Sequence, residues 1–206
     1  MDASDCITDL ATLEAVYGTP SAPALAKEID FLHPHYQAMI ATSPFMVLAT
    51  SGPDGMDCSP RGDPAGFVTV ADARTLLIPD RRGNNRTDSL RNILADPRVA
   101  LLFLIPGIGE TLRVNGRAEI VIAPALLEQF REQGKLPRSV LRVTVEKAYF
   151  QCPKALVRSR LWDPSLHLAR SSLPSTGSIL ADLSAGSIDG GEYDRAYPQR
   201  LKETIY

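Results

Sequence analysis

Two segments of this chain gather side chains suited to holding an anion. Ser59-Pro-Arg-Gly-Asp63 closes one strand-like run, and Asp80-Arg-Arg-Gly-Asn-Asn-Arg86 leaves another directly before a helix start. Arginine forks, amide side chains and backbone N–H groups at a helix N-terminus together make a phosphate receptor. An exposed charged loop capped by Thr87 or Asp88 is the other reading, and local physics leaves both open. Further along, Thr111-Leu-Arg-Val-Asn-Gly-Arg-Ala118 sets Thr111, Arg113, Asn115 and Arg117 on one side of a strand. In Cys152-Pro-Lys-Ala-Leu-Val-Arg-Ser-Arg-Leu-Trp162, Lys154 and Arg158 are four apart, with Trp162 four further on. That spacing predicts a cationic row ending in an aromatic ring, suited to an anionic planar ligand.

Other chemistries find little support. His33, His35 and His167 have no metal-ligand spacing with cysteines or carboxylates, so no metal site is expected. Cys152 has no histidine near it in sequence and reads as a bystander thiol. No Gly-x-Ser-x-Gly elbow occurs. Gly107-Ile-Gly109 is half a dinucleotide fingerprint, but it joins two strands and lacks the helix that receives a pyrophosphate. No side chain stands out as a catalytic acid, base or nucleophile.

The elements that must position these residues are mostly strands. Helices are expected up to residue 44, the second over residues 34–42, with Pro34 at its first turn and Ser43-Pro44 after it. Residues 45–50 read as a strand closed by Ser-Gly-Pro-Asp-Gly55, and residues 56–59 as its return. Residues 67–70 and 75–78 form another pair. A short helix follows the polar loop, with Leu90, Ile93 and Leu94 on its apolar face. Residues 99–105, 111–122 and 141–146 are further strands, and a helix spans about residues 124–133. Six or seven antiparallel strands at this spacing predict a small barrel with helical additions, a mainly β fold. Residues 171–191 are Ser- and Gly-rich without periodicity, which reads as an extended arm or linker. The expected organisation is a helical segment at 1–44 packed on the barrel, a barrel at 45–165 and an arm at 166–206.

The 206 residues suffice for one domain, and 44% hydrophobic residues suffice for a core without staples. No apolar run approaches the ~18 residues of a membrane span. The net charge of −2 gives no bulk attraction for nucleic acid. Three scattered cysteines and an acidic start fit a reducing cytoplasm. Seventeen of 22 cationic residues are arginine, and residues 135–170 hold eight bases against two acids.

The order of these motifs resembles the FMN-binding split barrels, the pyridoxamine 5′-phosphate oxidase-like proteins, over about residues 35–165. The resemblance rests on Ser-Pro-Arg-Gly, a strand ending Ile78-Pro79-Asp80, Gly-Asn-Asn-Arg, a helix with Asn92-Ile93, and Thr-Leu-Arg-Val-Asn-Gly-Arg-Ala. It implies an antiparallel split β-barrel homodimer with FMN in a cleft between subunits. FMN contacts are implied for Ser59, Pro60, Arg61 and Gly62, for Ile78, Pro79 and Asp80, and for Asn84, Asn85 and Arg86. Arg61, Asn85 and Arg86 would take the phosphate, and Thr111, Leu112 and Arg113 the isoalloxazine edge. Lys154, Arg158, Ser159 and Trp162 would come from the second subunit. The chain departs from the oxidases at Leu161-Trp-Asp-Pro164, where they carry an Arg-Leu-His-Asp-Arg-like motif. The implied activity is therefore an FMN-dependent oxidation or reduction of another small molecule. A non-catalytic flavin- or haem-binding sensor or storage protein on the same fold is the alternative, and a cofactor-free interaction domain is a third.

Overall fold

The computed structural model describes residues 5–206, so the first four residues lie outside it. Its centre is a seven-stranded, wholly antiparallel sheet built from β1 (Phe45–Gly52), β2 (Gly55–Gly62), β3 (Thr69–Asp72), β4 (Thr75–Asp80), β5 (Arg98–Leu104), β6 (Thr111–Val121) and β7 (Ser139–Gln151). The order across the sheet is β2-β1-β5-β6-β7-β4-β3. Alternation decides which face goes inward: Leu112, Val114 and Ala118 of β6 meet Leu141, Val143 and Val145 of β7 in the core. One extra residue, Glu146, bulges β7 where Asn115 pairs with Lys147 and Gly116 with Val145. Gly116 is required there, because a Cβ would stand 2.1 Å from the Thr144 carbonyl oxygen.

Arg61 of β2, at one edge, forms an ion pair with Asp80 of β4, next to the other edge. The sheet is thus a barrel left split at one seam and bridged there by side chains rather than a backbone ladder. β2 and β1 return on each other through Gly55, whose φ of 120° suits glycine alone.

Helix α4 (Asp88–Ala95) lies against β1 and β2. Its inward face is Ser89, Asn92 and Ile93, whereas Leu94 is 78% exposed, contrary to the sequence expectation. Buried Asn92 takes the inward place instead, donating to Thr50 Oγ1 at 3.2 Å and the Gly55 carbonyl at 3.4 Å. Gly52 admits it, since a Cβ would meet Asn92 Oδ1 at 2.2 Å. A short helix, α5 (Pro124–Glu128), links β6 to β7, ending earlier than expected.

At the N-terminal side, α1 (Leu10–Tyr17) and α2 (Ala22–Ala26) bury no residue. Only α3 (Pro34–Thr42) enters the core, through Tyr36 and Ile40, and the Tyr36 hydroxyl donates to the Lys27 carbonyl at 2.6 Å.

The C-terminal side corrects the expectation of an arm without regular structure. After α6 (Lys154–Ser159) and two 3-10 turns come α7 (Thr176–Leu183) and α8 (Gly190–Thr204), which pack as a hairpin. The Ser and Gly content has a helical purpose. Ser175 and Asp189 cap the two N-termini, accepting from Ser178 N and Glu192 N. Gly177 and Gly190 let the helices touch, since a Cβ on either would stand 2.0 or 2.4 Å from the other's carbonyl oxygen.

Candidate functional site

The split in the barrel opens into a groove of about 890 Å³. That volume falls in the range of small-molecule and cofactor sites, ~300–1,000 Å³. One wall is β2, from Asp57 to Gly62, and the opposite wall is Pro79 and Asp80 with the loop of residues 81–87. The first turn of α4 forms the end, and Arg138, Ser139, Ile205 and Tyr206 complete the rim. The two sequence segments first singled out for anion binding therefore face each other across one cavity. Their meeting follows from topology, because β4 crosses beyond β7 and returns its C-terminal end to the β2 edge.

Five arginines and four aspartates line this groove. Arg61 pairs with Asp80, Arg81 with Asp63 at 2.7 Å, and Arg86 with Asp88 at 2.7 Å. Arg82 and Arg138 are exposed, and their side chains form no ion pair or hydrogen bond among the described residues. Arg61 also reaches Ser89 Oγ at 3.4 Å, and Ser89 in turn donates to Asp57. Asp80, Arg61, Ser89 and Asp57 form one continuous chain along the floor.

Among the described residues, two groups in or beside this network lack partners. Arg61 Nε and Ser139 Oγ are buried without a hydrogen bond, and Ser139 is the register partner of Asp80. Buried polar atoms are seldom left unpaired in folded proteins, so two of them beside one aspartate mark a place suited to an external acceptor. The adjoining loop is strained: Asn85 and Thr87 have φ of 62° and 59°. Asparagine tolerates that region, but a β-branched threonine there is an outlier of the kind that clusters at ligand sites. Thr87 has no side-chain capping bond to α4, so the free N–H groups of the first turn end in the groove wall.

These observations fit a phosphate-bearing ligand: donors from Arg61, Ser139 and the loop, with spare positive charge from Arg82 and Arg138. The family model described as pyridoxamine 5′-phosphate oxidase matches residues 32–152, from before α3 to just after β7. The chain belongs to the pyridoxamine 5′-phosphate oxidase family. Similar solved structures include HupZ of Group A Streptococcus, 17% identical over 58% of this chain and 99% of that one, with a TM-score of 0.48. A putative pyridoxamine 5′-phosphate oxidase of Lactobacillus delbrueckii is 20% identical over 59% and 99%, with a TM-score of 0.43. An FMN-binding protein of Syntrophomonas wolfei is 13% identical over 55% and 82%, with a TM-score of 0.44. No curated protein matches the chain.

Within this oxidase-family barrel, the residues anticipated from sequence fall into two groups. Ser59, Pro60, Arg61, Gly62, Pro79, Asp80, Asn84, Asn85 and Arg86 all line the groove. Ile78 is buried in the core beneath it. The remaining seven lie apart from the groove. Thr111 and Leu112 are buried, at variance with a cleft-facing Thr111, and Arg113 rests over the Tyr149 ring at 5.1 Å. Lys154, Arg158 and Ser159 belong to α6, which buries nothing. Trp162 is not on that helix face. α6 ends at Ser159, its C-cap Arg160 breaks the turn with a φ of 52°, and Trp162 Nε1 donates to the Ile108 carbonyl at 2.8 Å.

Sequence reasoning missed Ser89, Arg138, Ser139, Asp63 with Arg81 as a pair, and Tyr206. Pro-Arg-Ser at 137–139 repeats the residue types of Ser-Pro-Arg and was a usable signal. Tyr206 had none, because its partners are 125 and 143 residues away, at Arg81 and Asp63.

Proposed function

We propose that this protein is a homodimeric flavoprotein that binds FMN in the split-barrel groove and uses it to oxidise or reduce a small molecule. The observation that carries this reading is the pair of unpartnered buried donors, Arg61 Nε and Ser139 Oγ, beside Asp80 in a groove of cofactor size. Family membership supports it. In this reading Arg61, Asn85, Arg86 and Ser139 hold the phosphate, with Arg82 and Arg138 adding field. Asp80 holds the Arg61 fork in place by its ion pair. Bound FMN would supply the hydride and electron transfer, so the absence of a triad is no obstacle.

Lys154 and Arg158 of α6, like Trp162 and Arg113, lie outside the groove of their own chain. A two-fold partner is the arrangement that brings such residues to a groove, giving two equivalent sites per isologous dimer. The first test is calorimetric titration of flavin-free protein: one FMN per chain, with riboflavin much weaker. Equal affinity for riboflavin refutes the phosphate assignment. The second mixes an Arg61→Ala, Asn85→Ala chain with a Lys154→Ala, Arg158→Ala chain. A shared site regains flavin binding in the mixed dimer, and failure to regain it refutes the two-subunit site.

A further inference from the structure

Asp63 ends the Ser-Pro-Arg-Gly-Asp segment with a side chain only 3% exposed. Both its oxygens are occupied. Oδ2 accepts from Arg81 Nε at 2.7 Å, and Oδ1 accepts the Tyr206 hydroxyl at 2.6 Å. The Tyr206 ring also packs against the Arg81 guanidinium, 5.5 Å from its centroid, while Arg81 Nη1 donates to the Phe130 carbonyl at 2.6 Å. Ile205 and Tyr206 form part of the groove wall. The Tyr206–Asp63 contact is the one hydrogen bond, among the described residues, that joins residues 175–206 to the rest of the chain. α8 buries no residue and α7 only Gly177, which faces α8. The hairpin thus has its own internal fastening and no apolar anchor in the barrel.

From this we infer that Tyr206 is a positioning residue that fastens the α7–α8 hairpin to the groove as a strap, so that a bound ligand leaves on that side only when the hairpin undocks. The inference rests on the groove being the ligand site proposed above. Two features make a strap of this kind workable. A buried carboxylate loses a partner whenever Tyr206 leaves, which returns the hairpin to its docked place. The release involves one hydrogen bond and one cation–π contact rather than a hydrophobic interface, so opening is local.

The test uses the full chain as wild type, Tyr206→Phe and Tyr206→Ala, with melting curves confirming that each variant folds. Amide exchange of residues 176–206 is followed by mass spectrometry, and FMN release by stopped-flow flavin fluorescence. The expected result is exchange and release both faster in Tyr206→Phe by about ten- to a hundredfold, the factor that one lost hydrogen bond to a charged carboxylate gives. Tyr206→Ala, which also removes the ring, should be faster still. Unchanged exchange in both variants overturns the fastening. Faster exchange with unchanged FMN release overturns the role at the groove. Wild-type protein that takes up no FMN refutes the flavin reading instead, and the fastening is then decided by the exchange data alone.

Discussion

Ser139 and Arg61 offer a way to separate folding from ligand binding at single side chains. Ser139 Oγ is buried without a partner, so Ser139→Ala removes an unsatisfied group and should leave the melting temperature unchanged or raise it. The same change should weaken FMN by ~1.5–3 kcal/mol, one hydrogen bond to a charged phosphate. A titration showing unaltered affinity would place the hydroxyl outside the site. Arg61 behaves differently because Asp80 depends on it. Arg61→Ala leaves a largely buried aspartate without its counter-charge, at a cost of about 3–5 kcal/mol for a fully buried pair and less at this seam. Arg61→Lys keeps the charge and loses the fork. Its expected effect is an affinity loss of ~1.5–3 kcal/mol for FMN with a smaller fall in melting temperature, read by calorimetry and thermal denaturation.

At the scale of elements, α4 is held by a buried amide, Asn92, beside the apolar Ile93 and the hydrogen-bonded Ser89. Asn92→Ala leaves Thr50 Oγ1 and the Gly55 carbonyl without their donor and opens the space that Gly52 provides. A destabilisation of ~1–3 kcal/mol is expected, measured by urea unfolding, with the loop of residues 81–87 losing protection because α4 is its downstream anchor. This helix also shows where sequence reading succeeds and where it stops. The strands were legible, since Leu112, Val114 and Ala118 alternate with polar residues and Gly and Pro mark the turns. The groove's two main walls were legible too, as motifs. The inward Asn92 was not, because periodicity rewards apolar residues such as Leu94 and cannot foresee a buried amide. The hairpin of α7 and α8 was hidden for a related reason. Gly177 and Gly190 look like linker residues until the close contact they permit is seen. Ser139 and Tyr206 join the site through pairings across the fold, and no local pattern announces those.

For the molecule as a whole, the hairpin's fastening carries a pH signature. The Asp63 hydrogen bond is the main cause that lifts the Tyr206 phenol from 10.0 to about 12, with burial and the carboxylate's charge adding to it. A group whose pKa is raised on folding contributes stability below its unfolded value and loses it as pH rises through its folded value. The difference in stability between wild type and Tyr206→Phe should therefore hold steady up to about pH 10 and vanish by about pH 12, as paired denaturation curves across that range would show. A difference that persists at high pH would mean that the ring, not the hydroxyl, makes the contribution.

The seam bridged by Arg61 and Asp80 has a consequence for anyone wishing to harden this protein. Most routes to thermostability close edges, add cross-links and extend ladders, and the gap between β2 and β4 is the obvious place to apply them. Here that gap is the groove itself. A disulfide or added pairing between residues 58–62 and 79–81 should raise the melting temperature while shrinking the cavity proposed above to receive the ligand. Robustness and capacity are traded at one address, and a barrel zipped shut would be the most durable version of this chain and the least useful.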